Sequence, residues 1–99
     1  MRERDVEKIL VSRVKNLGGR AYKWVSPGNA GVPDRIVILP GRPPVFVELK
    51  AETGTLTDLQ RVQIKRLLDL GQDVVVVKGM DGLKQFFRER GLEVTRDDF

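Results

Sequence analysis

GVPDRIVILPGRPPVFVELK, residues 31–50, holds two β-branched runs, DRIVIL (34–39) and VFVELK (45–50), on either side of PGRPP. A five-residue connection rich in Gly and Pro suits a hairpin, so the two runs are expected to pair antiparallel. Yet the first run opens on an aspartate, and the second closes on a glutamate and a lysine. Antiparallel pairing brings the start of one strand beside the end of the other, so Asp34 is expected close to Glu48 and Lys50. Glu48 and Lys50 are two apart and share a face, and strands apolar on both faces are normally covered on both sides, so both groups should be partly buried.

Working outward, residues 2–17 place Val6, Ile9, Leu10, Val14 and Leu17 at helical spacing, and Gly18-Gly19 ends the run. AYKWV (21–25) has strand composition, and SPGNAGVP after it forms a loop in which Gly28 and Gly31 allow close backbone approach. Downstream, TDLQRVQIKRLLDLG (57–71) begins with the capping-box pair Thr57 and Gln60. Its Leu59, Val62, Leu67, Leu68 and Leu70 suit a partly buried helix that stops at Gly71. DVVVVK (73–78) is a strand expected to run parallel to a neighbour through a right-handed crossover. MDGLKQFFRERG (80–91) makes a last helix, and LEVTRDDF (92–99) a tail or edge strand. The order helix, three strands, helix, strand, helix reads as a small α/β sandwich around a mixed sheet.

At 99 residues the chain is expected to form one domain, residues 1–99, with a single core. It has neither cysteine nor histidine, which removes disulfides, thiolate nucleophiles, histidine bases and the usual zinc ligands. Any metal must be held by oxygen, which favours Mg²⁺ or Mn²⁺ on carboxylates. The longest apolar run, VVVV (74–77), is far too short to span a bilayer, and MRERDVEKIL lacks the apolar segment of a secretory leader. A cytoplasmic location with no membrane partner is therefore expected. The net charge of +4 and a pI near 9.8 are compatible with an anionic polymer as partner.

Fourteen acids and seven lysines yield about one acid-x-Lys triplet by chance, and the chain has one, so VELK alone carries little. Its partners matter more. Two carboxylates brought together in a partly dry site raise each other's pKa unless a cation lies between them, and a divalent ion resolves that conflict. A three-way salt bridge of Asp34, Glu48 and Lys50, or Asp34 paired with Arg35, fits the same geometry. On a helical wheel Glu7 falls between Val14 and Val11, within or beside the apolar stripe, where it could face the same site or simply favour the helix dipole. Glu3 shares that face without an obvious task. Gln60 could both cap its helix and meet a water or phosphate.

Glu7, GVPD (31–34), VELK (47–50) and GTLTDLQ (54–60), followed by GQDVVVV, together resemble the PD-(D/E)XK nucleases, and more closely their VRR-NUC family of virus-type replication-repair nucleases. The resemblance spans nearly the whole chain. It implies a restriction-endonuclease-like core and metal-dependent phosphodiester cleavage. It makes Asp34 and Glu48 metal ligands, Glu7 a helical ligand acting directly or through water, Lys50 the catalytic lysine and Gln60 a further site residue. It also suggests that the Leu49 carbonyl joins the metal shell. With no second module in sight, the chain looks like the stand-alone type. By analogy it would be a homodimer acting on branched DNA, since two sites suit a substrate with local two-fold symmetry.

One or two Mg²⁺ or Mn²⁺ ions on such a set would activate a water and offset charge on the phosphorus, with Lys50 assisting. Lys15, Arg20, Lys23, Arg35, Lys65 and Arg66 are candidate phosphate contacts, each equally readable as a solvated charge. The expected function is a structure-selective DNA endonuclease cutting forks, flaps or four-way junctions. Its rivals are a non-catalytic nucleic-acid-binding protein that keeps the fold, and a purely structural domain whose carboxylates form surface salt bridges.

Overall fold

The computed structural model describes residues 1–92, in the order α1 (Glu3–Asn16), β1 (Arg20–Lys23), β2 (Arg35–Ile38), β3 (Val45–Lys50), α2 (Asp58–Asp69), β4 (Val74–Lys78) and α3 (Gly79–Arg88). The sheet runs β1-β2-β3-β4, antiparallel as far as β3 and parallel between β3 and β4. The mixed sheet and the hairpin are thus as expected. PGRPP turns the chain with Gly41 at φ +69°, and the Arg42 N–H bonds the Leu39 carbonyl at 3.2 Å. Of the tail expected at 92–99, only Leu92 lies within the described residues, and it packs against the core.

α1 starts where the Asp5 carboxylate accepts the Arg2 N–H at 3.1 Å, reaching back to satisfy one of the free donors of the first turn. Its Val6, Ile9, Leu10 and Val14 are buried, as their spacing requires. At Gly19 a Cβ would collide with the Ile38 carbonyl oxygen, so only glycine lets α1 turn directly into β1. β1 itself is displaced from the expected 21–25 to Arg20–Lys23. The Trp24 N–H still bonds the Asp34 carbonyl at 3.0 Å, but the chain leaves the ladder there and Val25 is 71% exposed.

Side-chain alternation sends Val45, Val47 and Leu49 of β3 to one face of the sheet, where they join Val37, Val77 and α1. α3 closes this layer with Leu83, Phe86 and Phe87, the two rings edge to face at 5.0 Å. Each such side chain contributes about 1.5–3 kcal/mol by leaving water. The Arg90 guanidinium lies 4.1 Å over the Phe86 ring and caps the core's edge.

α2 departs from expectation. It buries none of its residues, and Leu59, Val62, Leu68 and Leu70 are 44–73% exposed, with Leu67 half-buried. Its periodicity specified a helix without specifying a packed one. Its start is held instead. Thr57 Oγ1 accepts the Gln60 N–H at 3.2 Å while Gln60 Oε1 accepts the Thr57 N–H at 2.9 Å, which is the capping box that the residues predicted. Gly31, at φ +89°, abuts the backbone of Leu59 and Gln60, where a Cβ would sit 2.6 Å from the Leu59 carbonyl carbon. Gln63 Nε2 donates to the Ala30 carbonyl at 3.3 Å, and α2 rests on β4 further along. The loop before Asp34 is thereby fixed to the start of α2.

Candidate active site

Arg35 stands opposite Val47 in the β2–β3 register, which places Asp34 opposite Glu48 one step further on. Alternation then puts Asp34, Glu48 and Lys50 together on the face turned away from α1. The Asp34 carboxylate accepts the Leu49 N–H at 2.8 Å, taking the place of a strand partner where β2 ends. Carried two pairs beyond Arg35, the same register sets Pro33 against Leu49. Proline has no N–H, so it offers the Leu49 carbonyl no ladder bond.

Glu48 is 2% exposed, and its Oε1 is buried without a hydrogen-bond partner. Its nearest cation is Lys50, with Nζ 3.9 Å from Oε2, beyond hydrogen-bonding reach. The Glu48 carboxyl is pushed up to about 8, first by burial and then by the Asp34 charge and a hydrogen bond shared with that carboxyl, while Lys50 pulls the other way. The neighbouring strand adds a second cation, because Lys78 is the register partner of Lys50. Neither lysine is hydrogen-bonded to Glu48, whose Oε1 stays unpartnered, and a cation bound between the two carboxylates would relieve that strain. The available donors are all oxygen, which fits Mg²⁺ or Mn²⁺.

The structure deals differently with the helical carboxylates. Glu7 Oε2 accepts Arg35 Nε at 2.7 Å, and Arg35 Nη1 also reaches the Ala21 carbonyl at 3.0 Å. Arg35 therefore pairs with Glu7 on the α1 face, away from Asp34. It is Glu3, one turn earlier, whose charge is felt at Glu48. Sequence spacing had put both acids on one helix face but could not say which end of α1 meets the strand ends. Among the described residues, no group of three or more Asp and Glu side chains is gathered tightly enough to hold an ion unaided. Gln60 is engaged in capping α2, beside the Gly31 loop. Arg20, Lys15, Lys23 and Arg66 are exposed, and Lys65 pairs with Asp69 at 2.8 Å on the surface.

This chain is 48% identical over 81 residues to "Putative nuclease p44" of Acyrthosiphon pisum secondary endosymbiont phage 1, covering 82% of this chain and 87% of that protein. A solved structure described as a VRR_NUC domain superposes with a TM-score of 0.79 at 29% identity, over 87% of this chain and 94% of the other. The chain belongs to the VRR-NUC family of nucleases. No family model matches the sequence. The VRR-NUC fold accounts for the arrangement above: a hairpin that pairs Asp34 with Glu48, a strand that adds Lys50 to their face, and a helix whose start is locked to the preceding loop.

Proposed function

We propose that this VRR-NUC protein is a divalent-metal-dependent endonuclease that hydrolyses phosphodiester bonds in branched DNA such as forks, flaps or four-way junctions. The observation that supports it best is Glu48, buried at 2% exposure with an unpartnered oxygen beside a second carboxylate. A fold gains nothing from such a pair unless something binds between its members. Asp34, Glu48 and the Leu49 carbonyl would hold the ion, while Glu7, given by the family resemblance as a ligand acting directly or through water, is paired with Arg35 here. When bound, Mg²⁺ or Mn²⁺ supplies Lewis-acid activation of a water and charge neutralisation on the phosphate.

The remaining work falls to the chain. Lys50 Nζ, held near Glu48, orients the attacking water by hydrogen bonding and offsets negative charge on the phosphate oxygens as it builds. Gln60, at the positive end of α2, offers its side-chain N–H₂ to a phosphate or water while its Oε1 stays on Thr57. Lys15, Arg20, Lys23, Lys65 and Arg66 provide backbone contacts, and a homodimer would present two sites to a two-fold junction.

Incubation of labelled duplex, fork and four-way-junction DNA with Mg²⁺, Mn²⁺ or EDTA tests this. Metal-dependent cutting is expected, strongest on branched DNA, with a loss of at least about 100-fold in Glu48→Ala and Lys50→Ala. Binding without cutting in either metal would mark a non-catalytic binder.

A further inference from the structure

The face that carries Asp34, Glu48 and Lys50 continues across β2 and β1 with no helix of the described residues over it. By alternation Arg20 and Tyr22 of β1 lie on it opposite Ile38 and Ile36, and Tyr22 is 56% and Ile38 40% exposed. Trp24 follows in the same column, its ring 5.1 Å from Phe46, and its N–H is bonded to the Asp34 carbonyl. At the far end a groove of about 620 Å³ is lined by Arg20, Tyr22, Ile38 and Arg42 among others. From the carboxylates outward the order is therefore Trp24 with Phe46, then Tyr22, then Arg20 and Arg42.

We propose that this open sheet face is a single-strand track, on which the unpaired arm of a branched DNA stacks its bases on Trp24 and Tyr22 while Arg20 and Arg42 hold its backbone. The proposal rests on the nuclease reading for its direction, from the carboxylates to the groove. Chemistry favours DNA as occupant. The exposed ring of Tyr22 and the half-buried ring of Trp24, followed by two exposed arginines, suit stacked bases and phosphates, and no acidic side chain stands in this column beyond Asp34 and Glu48. Four residue steps along β2 span about 13 Å, the rise of roughly four stacked nucleotides. Duplex DNA keeps its bases stacked on one another and unavailable to the rings. The track would thus favour forks and flaps over plain duplex without any base-specific contact.

Trp24 is the chain's single tryptophan, so its emission reports on the track directly. The 99-residue chain is titrated in EDTA with an oligothymidylate about eight nucleotides long, within the usual size of a single-strand site. Saturable quenching is expected, weakened roughly 5- to 100-fold by Tyr22→Ala, the range for loss of one base–aromatic stack. The double variant Arg20→Glu with Arg42→Glu should bind more weakly still and with a shallower salt dependence. Lys84→Glu, exposed on α3, should bind as the parent does.

Absence of quenching, or quenching unchanged in Tyr22→Ala, overturns the proposal. So does Trp24 emission that responds to protein concentration and not to DNA, which would assign the face to a second copy of the chain. Because no metal is present, these results stand whether or not the protein cuts DNA, and a failure of cleavage with metal would count against the nuclease reading alone.

Discussion

The two faces of β3 are built on opposite principles from alternate residues of one six-residue strand. Val45, Val47 and Leu49 enter a closed apolar layer under α1 and α3, whereas Phe46, Glu48 and Lys50 face the side that carries Asp34, Trp24 and the exposed Tyr22. One face stabilises the fold, and the other stores electrostatic tension within it. A substitution on the first should therefore lower stability and leave chemistry intact, while a substitution on the second should abolish chemistry and relieve that tension.

The largest effect on stability is expected from Phe87→Ala, at a fully buried ring in the closed layer. A loss of about 3–5 kcal/mol, read from urea unfolding, follows from transfer and cavity terms. A smaller loss would mean that this layer can collapse around the gap.

On the open face the effect is tied to pH. Glu48 ionises near 8 in the folded chain and near the ordinary 4.5 when unfolded, so between those values the folded state retains a proton that the unfolded state has lost. Stability of the metal-free protein should accordingly fall as pH rises from 4.5 to 8, by at most about 1.4 kcal/mol per unit, and level off above 8. Thermal melts across that range should show the decline in the parent and a flatter profile in Glu48→Gln. A parent profile as flat as the variant's would mean that burial and Asp34 do not perturb Glu48.

The smallest effect belongs to α2, which neither face buries. Thr57→Ala removes one half of its capping box, with an expected loss of about 1 kcal/mol. Because that helix start is locked to the Gly31 loop, the same variant should reduce cleavage more than its stability loss predicts. Equal reductions would show α2 to be a passive element.

The architecture was legible because each element announces itself locally: PGRPP between two β-branched runs, the capping box at Thr57 and Gln60, and the apolar period of α1. The pairing of Asp34 with Glu48 followed from hairpin geometry alone. What escaped was the tertiary placement of side chains that local pattern leaves free. Glu7 and Glu3 lie on one helix face, and only the packing of α1 against β1 and β3 shows Arg35 taking the first and Glu48 sensing the second. The leucines of α2 resemble a core stripe, yet the helix is held at its start, so Leu59, Leu68 and Leu70 remain exposed. Pro33 reads as a turn residue until the register sets it opposite Leu49.

The central claim is that Asp34 and Glu48 form a divalent-cation site. Calorimetric titration of Mn²⁺ into the parent and into Glu48→Gln at pH 7 tests it most directly. Saturable binding is expected in the parent, with an enthalpy that depends on the buffer because Glu48 gives up its proton to admit the ion, and with no such binding in the variant. Binding of equal strength in both proteins, or no heat in the parent, would contradict the account.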